Sequence, residues 1–212
     1  IRFSSQDPRG VAFDVSPDGS VVVGFARSQN GPEAFRWVSG VGIEGLGVLS
    51  ADHPASFARG VSADGTVIAG YSENSEGSPR AFRWTAATGL QNLGSLLGGV
   101  SRAYAVSADG STVVGESIGT NASAAFRWTA GQGMEGLGGG ADYNRALDVS
   151  EAGEVIVGWS YSDGIGERAF IWTAAEGARL LQDVAETDYG LDLTGWTLES
   201  AEAVSDDGMV IV

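Results

Sequence analysis

The side chains able to do chemistry in this chain are few in kind. There is one histidine, His53, no cysteine and no lysine, against twelve arginines and 27 carboxylates, for a net charge of −15. A single histidine excludes a histidine-built metal site, and the lack of thiols removes disulfides, thiolate zinc and thiol catalysis. A Ser-His-Asp relay through His53 would need chance convergence of its partners, and His53 sits where a loop between units is expected. Two Gly-x-Gly-x-x-Gly stretches, Gly40 to Gly45 and Gly131 to Gly136, fall between antiparallel strand patterns. They read as turns, since a dinucleotide site needs a parallel strand leading into a helix N-terminus.

Paired carboxylates a few ångströms apart would suit glycoside hydrolysis. Four of the acids recur at one place, Asp18, Asp64, Asp109 and Asp207, where turn geometry explains them. Others, Glu73, Glu76, Glu116, Asp163 and Glu167, vary and are expected in loops. Calcium held by loop carboxylates is conceivable, although no Asp-x-Asp-x-Asp-Gly loop is present, so no cofactor is assigned. The arginines offer more. Arg59, Arg102 and Arg145 fall near the start of three related strands, with Tyr104 and Glu202 beside them, and Trp159 at the end of the strand that follows Arg145. Three guanidiniums at a channel mouth would suit a carboxylate or phosphate, and aromatic faces would stack on sugar rings. The bland alternative is that these arginines pair with Asp14, Asp148 or Glu202 and the aromatics pack between sheets.

The elements that must hold these groups follow from self-similarity. Val-Ser recurs at Val15-Ser16, Val61-Ser62, Val106-Ser107, Val149-Ser150 and Val204-Ser205, at intervals of 46, 45, 43 and 55 residues. Asp-Gly follows two residues later, becoming Ala152-Gly153 in the fourth unit. Then come Ala34-Phe35-Arg36-Trp37, Ala81-Phe82-Arg83-Trp84, Ala125-Phe126-Arg127-Trp128 and Ala169-Phe170-Ile171-Trp172, followed by a Leu-Gly stretch such as Leu46-Gly47. Each unit reads as four short strands, the second β-branched and apolar on both faces, the third alternating so that Phe35 and Trp37 share a face. Four strands in about 45 residues is the size of a propeller blade. The fold predicted is an all-β propeller of four-stranded antiparallel blades, five-bladed by first choice. Residues 1–9 would supply a closing strand, followed by units 10–55, 56–100, 101–143 and 144–199 and an incomplete unit 200–212 in one domain. Helices should be minor. Variable loops are expected at Ala26–Glu33, Ser72–Arg80, Ser117–Ala124 and Ser160–Arg168, on one face with the arginines.

These blocks resemble the HAF family of bacterial repeats, whose His-Ala-Phe motif here reads Ala-Phe-Arg-Trp with Glu, Arg or Ala in the histidine's place. The resemblance implies export, as an autotransporter passenger or surface-attached protein, and no established activity. Composition agrees with a folded, soluble chain, 43% hydrophobic and 18% charged. Its acidity disfavours nucleic acid and anionic lipid, and no apolar run is long enough to insert in a membrane. Ile1 is not a translation start and the chain stops within a strand pattern, so both ends read as cut from a longer protein. The expectation is a non-enzymatic extracellular binding module for a glycan or a protein. A glycan-active hydrolase or lyase and a structural spacer are the alternatives.

Overall fold

The computed structural model describes residues 9–212 and shows four blades of four antiparallel strands in chain order, the third and fourth joined into one eight-stranded sheet by a parallel bridge between Ser123 and Tyr143. The first blade is β1 (Gly10–Val15), β2 (Val21–Ser28), β3 (Gly31–Val38) and β4 (Gly42–Gly47). The second is β5 (Ser56–Val61), β6 (Ile68–Glu73), β7 (Pro79–Thr85) and β8 (Gly89–Asn92). The third is β9 (Val100–Val106), β10 (Thr112–Ile118), β11 (Ser123–Thr129) and β12 (Gly133–Gly136). The fourth is β13 (Tyr143–Val149), β14 (Val155–Ser162), β15 (Gly166–Thr173) and β16 (Gly177–Leu180), followed by a short helix α1 (Leu181–Thr187). A fifth unit starts with Ala201 and Val204 against the fourth blade and a bridge between Val204 and Ile211. The closing strand expected at residues 1–9 lies outside the described residues except for Arg9. No helix among the described residues is long and apolar enough to cross a membrane.

The repeated residues build these sheets for local reasons. In each Val-Ser-x-Asp-Gly turn the glycine takes a positive φ near 70°, at Gly19, Gly65, Gly110, Gly153 and Gly208. The serine hydroxyl accepts from the backbone N–H that opens the next strand, as Val21 does to Ser16 at 3.0 Å and Val67 to Ser62 at 3.0 Å. It also donates to the aspartate where there is one, Ser16 to Asp18 and Ser107 to Asp109 at 2.6 Å each. The recurring aspartates are therefore turn parts, held below the usual carboxylate range at Asp18, Asp64 and Asp207 by these serine hydroxyls first.

Between blades the apolar faces meet. Phe82, Ile68 and Ala58 of the second blade pack on Val21, Val23 and Ala34 of the first, and Phe126, Val113 and Ala103 repeat this on the second. Phe170, Ile156 and Ala146 do so on the third. Each buried Phe or Ile removes about 1.5–3 kcal/mol worth of apolar surface from water. The third-strand arginine of one blade covers the next blade's tryptophan, Arg36 over Trp84 at 4.7 Å and Arg127 over Trp172 at 5.3 Å.

The segments expected as long variable loops are mostly strand. Hydrogen-bonded pairing runs outward to Ser28↔Gly31, Glu73↔Pro79, Ile118↔Ser123 and Ser162↔Gly166, leaving only the tips unpaired. Glycines with positive φ at Gly31, Gly77, Gly164 and Gly166 let those hairpins close tightly. His53 lies between β4 and β5, half-buried, with its ring against the Gly77 turn.

Candidate functional site

The innermost strand of every blade carries a β-bulge at the same place. Its pairing skips one residue: Phe13 in β1, Arg59 in β5, Tyr104 in β9 and Leu147 in β13. A bulge re-aims the skipped side chain out of the sheet's alternation. What permits it is the glycine opposite. At Gly24, Gly70, Gly115 and Gly158 an added Cβ would lie 2.0 Å from the backbone oxygen of residue 11, 57, 102 or 145. Only glycine allows that approach.

The outward pair next to each bulge then forms a belt across the first two strands of successive blades: Val11↔Phe25, Phe57↔Tyr71, Arg102↔Glu116 and Arg145↔Trp159. Phe25 meets Phe57 edge to face and Phe57 stacks on Tyr71, with centroids 4.9 Å apart at each step. Arg102 continues the belt 5.7 Å over Tyr71 and binds Glu116 at 3.2 Å. Arg145 binds the other Glu116 oxygen at 2.8 Å and lies 5.2 Å over both Tyr104 and Trp159. Tyr104 donates its hydroxyl to Glu116 at 2.6 Å. Burial, then the charge and hydrogen bond of Glu116, pushes the Tyr104 phenol well above its ordinary range.

Arg102, Tyr104, Arg145 and Trp159 are thus one cluster around a residue expected in a loop. Glu116 is in fact 2% exposed and inside β10. Burial suits it because two guanidiniums and a phenol satisfy both carboxylate oxygens. The arginines do not pair with Asp14, Asp148 or Glu202. Asp14 and Asp148 instead accept the N–H groups of Val61 and Val204 in the next unit, at 2.9 and 2.8 Å. Arg59 stands one blade away, its guanidinium 4.0 Å over Phe13 and 5.6 Å from Tyr104. Glu202 is exposed in the fifth unit and accepts from Ser200 at 2.6 Å, apart from the cluster.

Where the belt reaches the fourth blade a cavity of about 330 Å³ opens, lined by Trp159, Tyr143, Tyr161, Arg145, Glu116 and Glu167 among others. The rings of Tyr143 and Tyr161 lie tilted to each other, with centroids 6.1 Å apart. Neither tyrosine stands out in the sequence, although each lies two residues from a belt member, Arg145 or Trp159, and so on the same face.

Two catalytic patterns reduce to scaffold. Gly115–Gly119 reads Gly-x-Ser-x-Gly, but Ser117 is fully buried within the strand β10 and accepts from the Leu96 N–H at 3.0 Å. A nucleophile elbow needs an exposed serine at a strand-to-helix turn. The two Gly-x-Gly-x-x-Gly stretches bridge β3 to β4 and β11 to β12, both antiparallel pairs.

No family model matches the chain, and no curated protein matches it. Solved structures do. TolB from Agrobacterium tumefaciens superposes with a TM-score of 0.58 at 18% identity, and TolB from Acinetobacter baumannii with 0.54 at 23%. A prolyl endopeptidase structure aligns with 0.55 at 12%. These alignments cover 79%, 78% and 83% of this chain but only 62%, 41% and 28% of the respective partners. At such identities the likeness establishes the fold, a β-propeller of four-stranded blades.

Proposed function

We propose that this domain is a non-catalytic binding module that takes an acidic glycan at the channel mouth of its third and fourth blades. The observation that carries this is the cavity lined by the three aromatic rings of Trp159, Tyr143 and Tyr161 together with the Arg145 guanidinium. Sugar C–H faces stack on such rings, and a guanidinium pairs a carboxylate or sulfate in a forked geometry. Along the belt Arg59, Arg102 and Arg145 outnumber the buried Glu116, while Glu167 adds a second carboxylate to the cavity lining, in a chain of net charge −15. Arg145 is the one cation in the cavity lining, and an acidic glycan binds there by sharing that guanidinium with Glu116.

A hydrolase reading is less well supported, because both oxygens of Glu116 are already engaged by Arg102, Arg145 and Tyr104. Glycoside cleavage asks for one carboxyl free to move a proton and a second free to attack or activate water. The binding reading carries an extracellular or surface location with it, in line with the HAF-type resemblance.

The test is a glycan-array screen of the folded chain, with and without calcium. Retention of uronate-, sialate- or sulfate-bearing glycans, lost in Trp159→Ala and weakened in Arg145→Gln, is the expected result. A screen with no retained glycan, or retention indifferent to Trp159→Ala, overturns the reading.

A further inference from the structure

The third blade junction contains a cavity of about 410 Å³ lined by Asn144, Ser160, Phe170, Ala178, Leu180 and Asp183 among others. Three aligned departures from the repeat create it. After the Leu-Gly pair of the fourth strand, the first two junctions continue to Leu49 and Leu96, whereas the third continues to Gly140. The N–H groups of Leu49 and Leu96 donate to Ser72 and Ser117 at 3.0 Å each, and Leu96 packs 3.6 Å from the Gly136 Cβ position. Ser160, the equivalent in the fourth blade, donates instead to the Arg168 carbonyl. The opposite wall is cut back as well. Where the other blades carry Ile43, Leu90 and Met134, the fourth carries Ala178.

The third departure is polar. Ser56 and Ser101 close the earlier junctions by donating to the Gly47 and Gly94 carbonyls and accepting from Ala34 and Ala81. Their counterpart is Asn144, only 7% exposed. Its backbone groups bond to Ser123, but its carboxamide has no hydrogen-bond partner among the described residues and faces the cavity. Among the described residues only the Arg127 Nε is buried without a partner, so the unbonded Asn144 amide keeps access to the cavity and is free to meet a group that enters.

We propose that this cavity is a binding site for a single neutral sugar ring, distinct from the channel-mouth site. Its volume lies in the range of small-molecule pockets, about 300–1,000 Å³. Adjacent hydroxyls match a carboxamide, one donating to Oδ1 and the next accepting from Nδ2, and Ser160 and Asp183 extend the polar wall. Phe170, Ala178 and Leu180 supply the apolar floor for the C–H face. Anions are disfavoured. Arg179, the one cation in the lining, is already bonded to Asp188 at 2.6 Å and to Glu176 at 3.0 Å.

The experiment is ligand-observed NMR on the whole chain with a panel of neutral monosaccharides and the matching uronates, repeated on three variants. At least one neutral sugar should bind more tightly than its uronate. Ala178→Met, which restores the residue of the third blade, should weaken it about tenfold or more. Asn144→Ser should also weaken it, and Trp159→Ala should leave it unchanged while abolishing glycan capture at the mouth. No binding by any neutral sugar, which marks a water-filled void, overturns the proposal, as does binding that survives Ala178→Met. Loss in Trp159→Ala as well would assign the signal to the mouth and overturn the separate site.

Discussion

The first two blade junctions and the third use the same buried phenylalanine and differ only at the rim. Phe82, Phe126 and Phe170 occupy one position in three successive blades, exposed by 0%, 0% and 4%. Around the first two, leucines and a doubly bonded serine close the junction. Around the third, Gly140, Ala178 and Asn144 leave it open, and the pairing Ser123↔Tyr143 joins the two sheets directly. The repeat thus specifies the sheet and its core, while a few departures at the periphery make room for a ligand at little cost to the core. The same division holds along the first strands, where the bulge recurs in all four blades and the side chain it aims changes from phenylalanine to arginine, tyrosine and leucine.

The comparison is most sharply tested in the core it claims to be shared. Phe82→Ala should lower unfolding free energy by about 3–5 kcal/mol, and Phe126→Ala similarly, measured by urea denaturation. Ala178→Met, by contrast, fills existing space and should change stability by less than about 1 kcal/mol. A loss in Ala178→Met as large as that of ordinary overpacking would mean the third junction is closed after all. At the next level, Ser56→Ala strands a buried N–H and a buried carbonyl and should cost about 1–3 kcal/mol, whereas Asn144→Ala removes no protein partner and should cost almost nothing. Equal losses in these two variants would erase the distinction.

Much of this architecture was legible because the blocks repeat. Val-Ser-x-Asp-Gly marks a turn with a mechanism, and the alternation in Ala-Phe-Arg-Trp assigns Phe35 and Trp37 to one face and Arg36 to the other. The convergence of Arg102, Arg145 and Trp159 on one wall follows from their shared place in the unit. Two things were not legible. Glu116 is a charged residue at the strand position that Phe25, Tyr71 and Trp159 fill in the other units, and its burial becomes reasonable only once two arginines from different blades are known to reach it. The hairpin tips lack alternation between apolar and polar residues, so paired strand such as Arg27↔Pro32 could not be told from loop. The open junction was readable only by comparing units position by position, since Gly140 and Ala178 are unremarkable singly.

The smallest effect concerns the turns, where the fourth blade again departs. Asp18, Asp64 and Asp207 are held below the usual carboxylate range by serine hydroxyls, while the fourth turn keeps Ser150 but has Ala152. A lowered folded value means these carboxylates stabilise the fold above the unfolded value of about 3.9 and lose that contribution as pH falls through the lowered values. Asp14 and Asp148 act in the opposite direction. Burial raises both, so their charges disfavour the fold at neutral pH and the penalty is relieved as pH falls through the raised values. Unfolding free energy should therefore hold or rise slightly on mild acidification and then decline below about pH 4. Asp64→Asn should flatten only the acid limb, Asp14→Asn only the limb above it, and Ala152→Asp should steepen the acid limb by making the fourth turn like the rest. An acid limb unchanged in both Asp64→Asn and Ala152→Asp would show that the serine–aspartate pairs set turn geometry without contributing to stability.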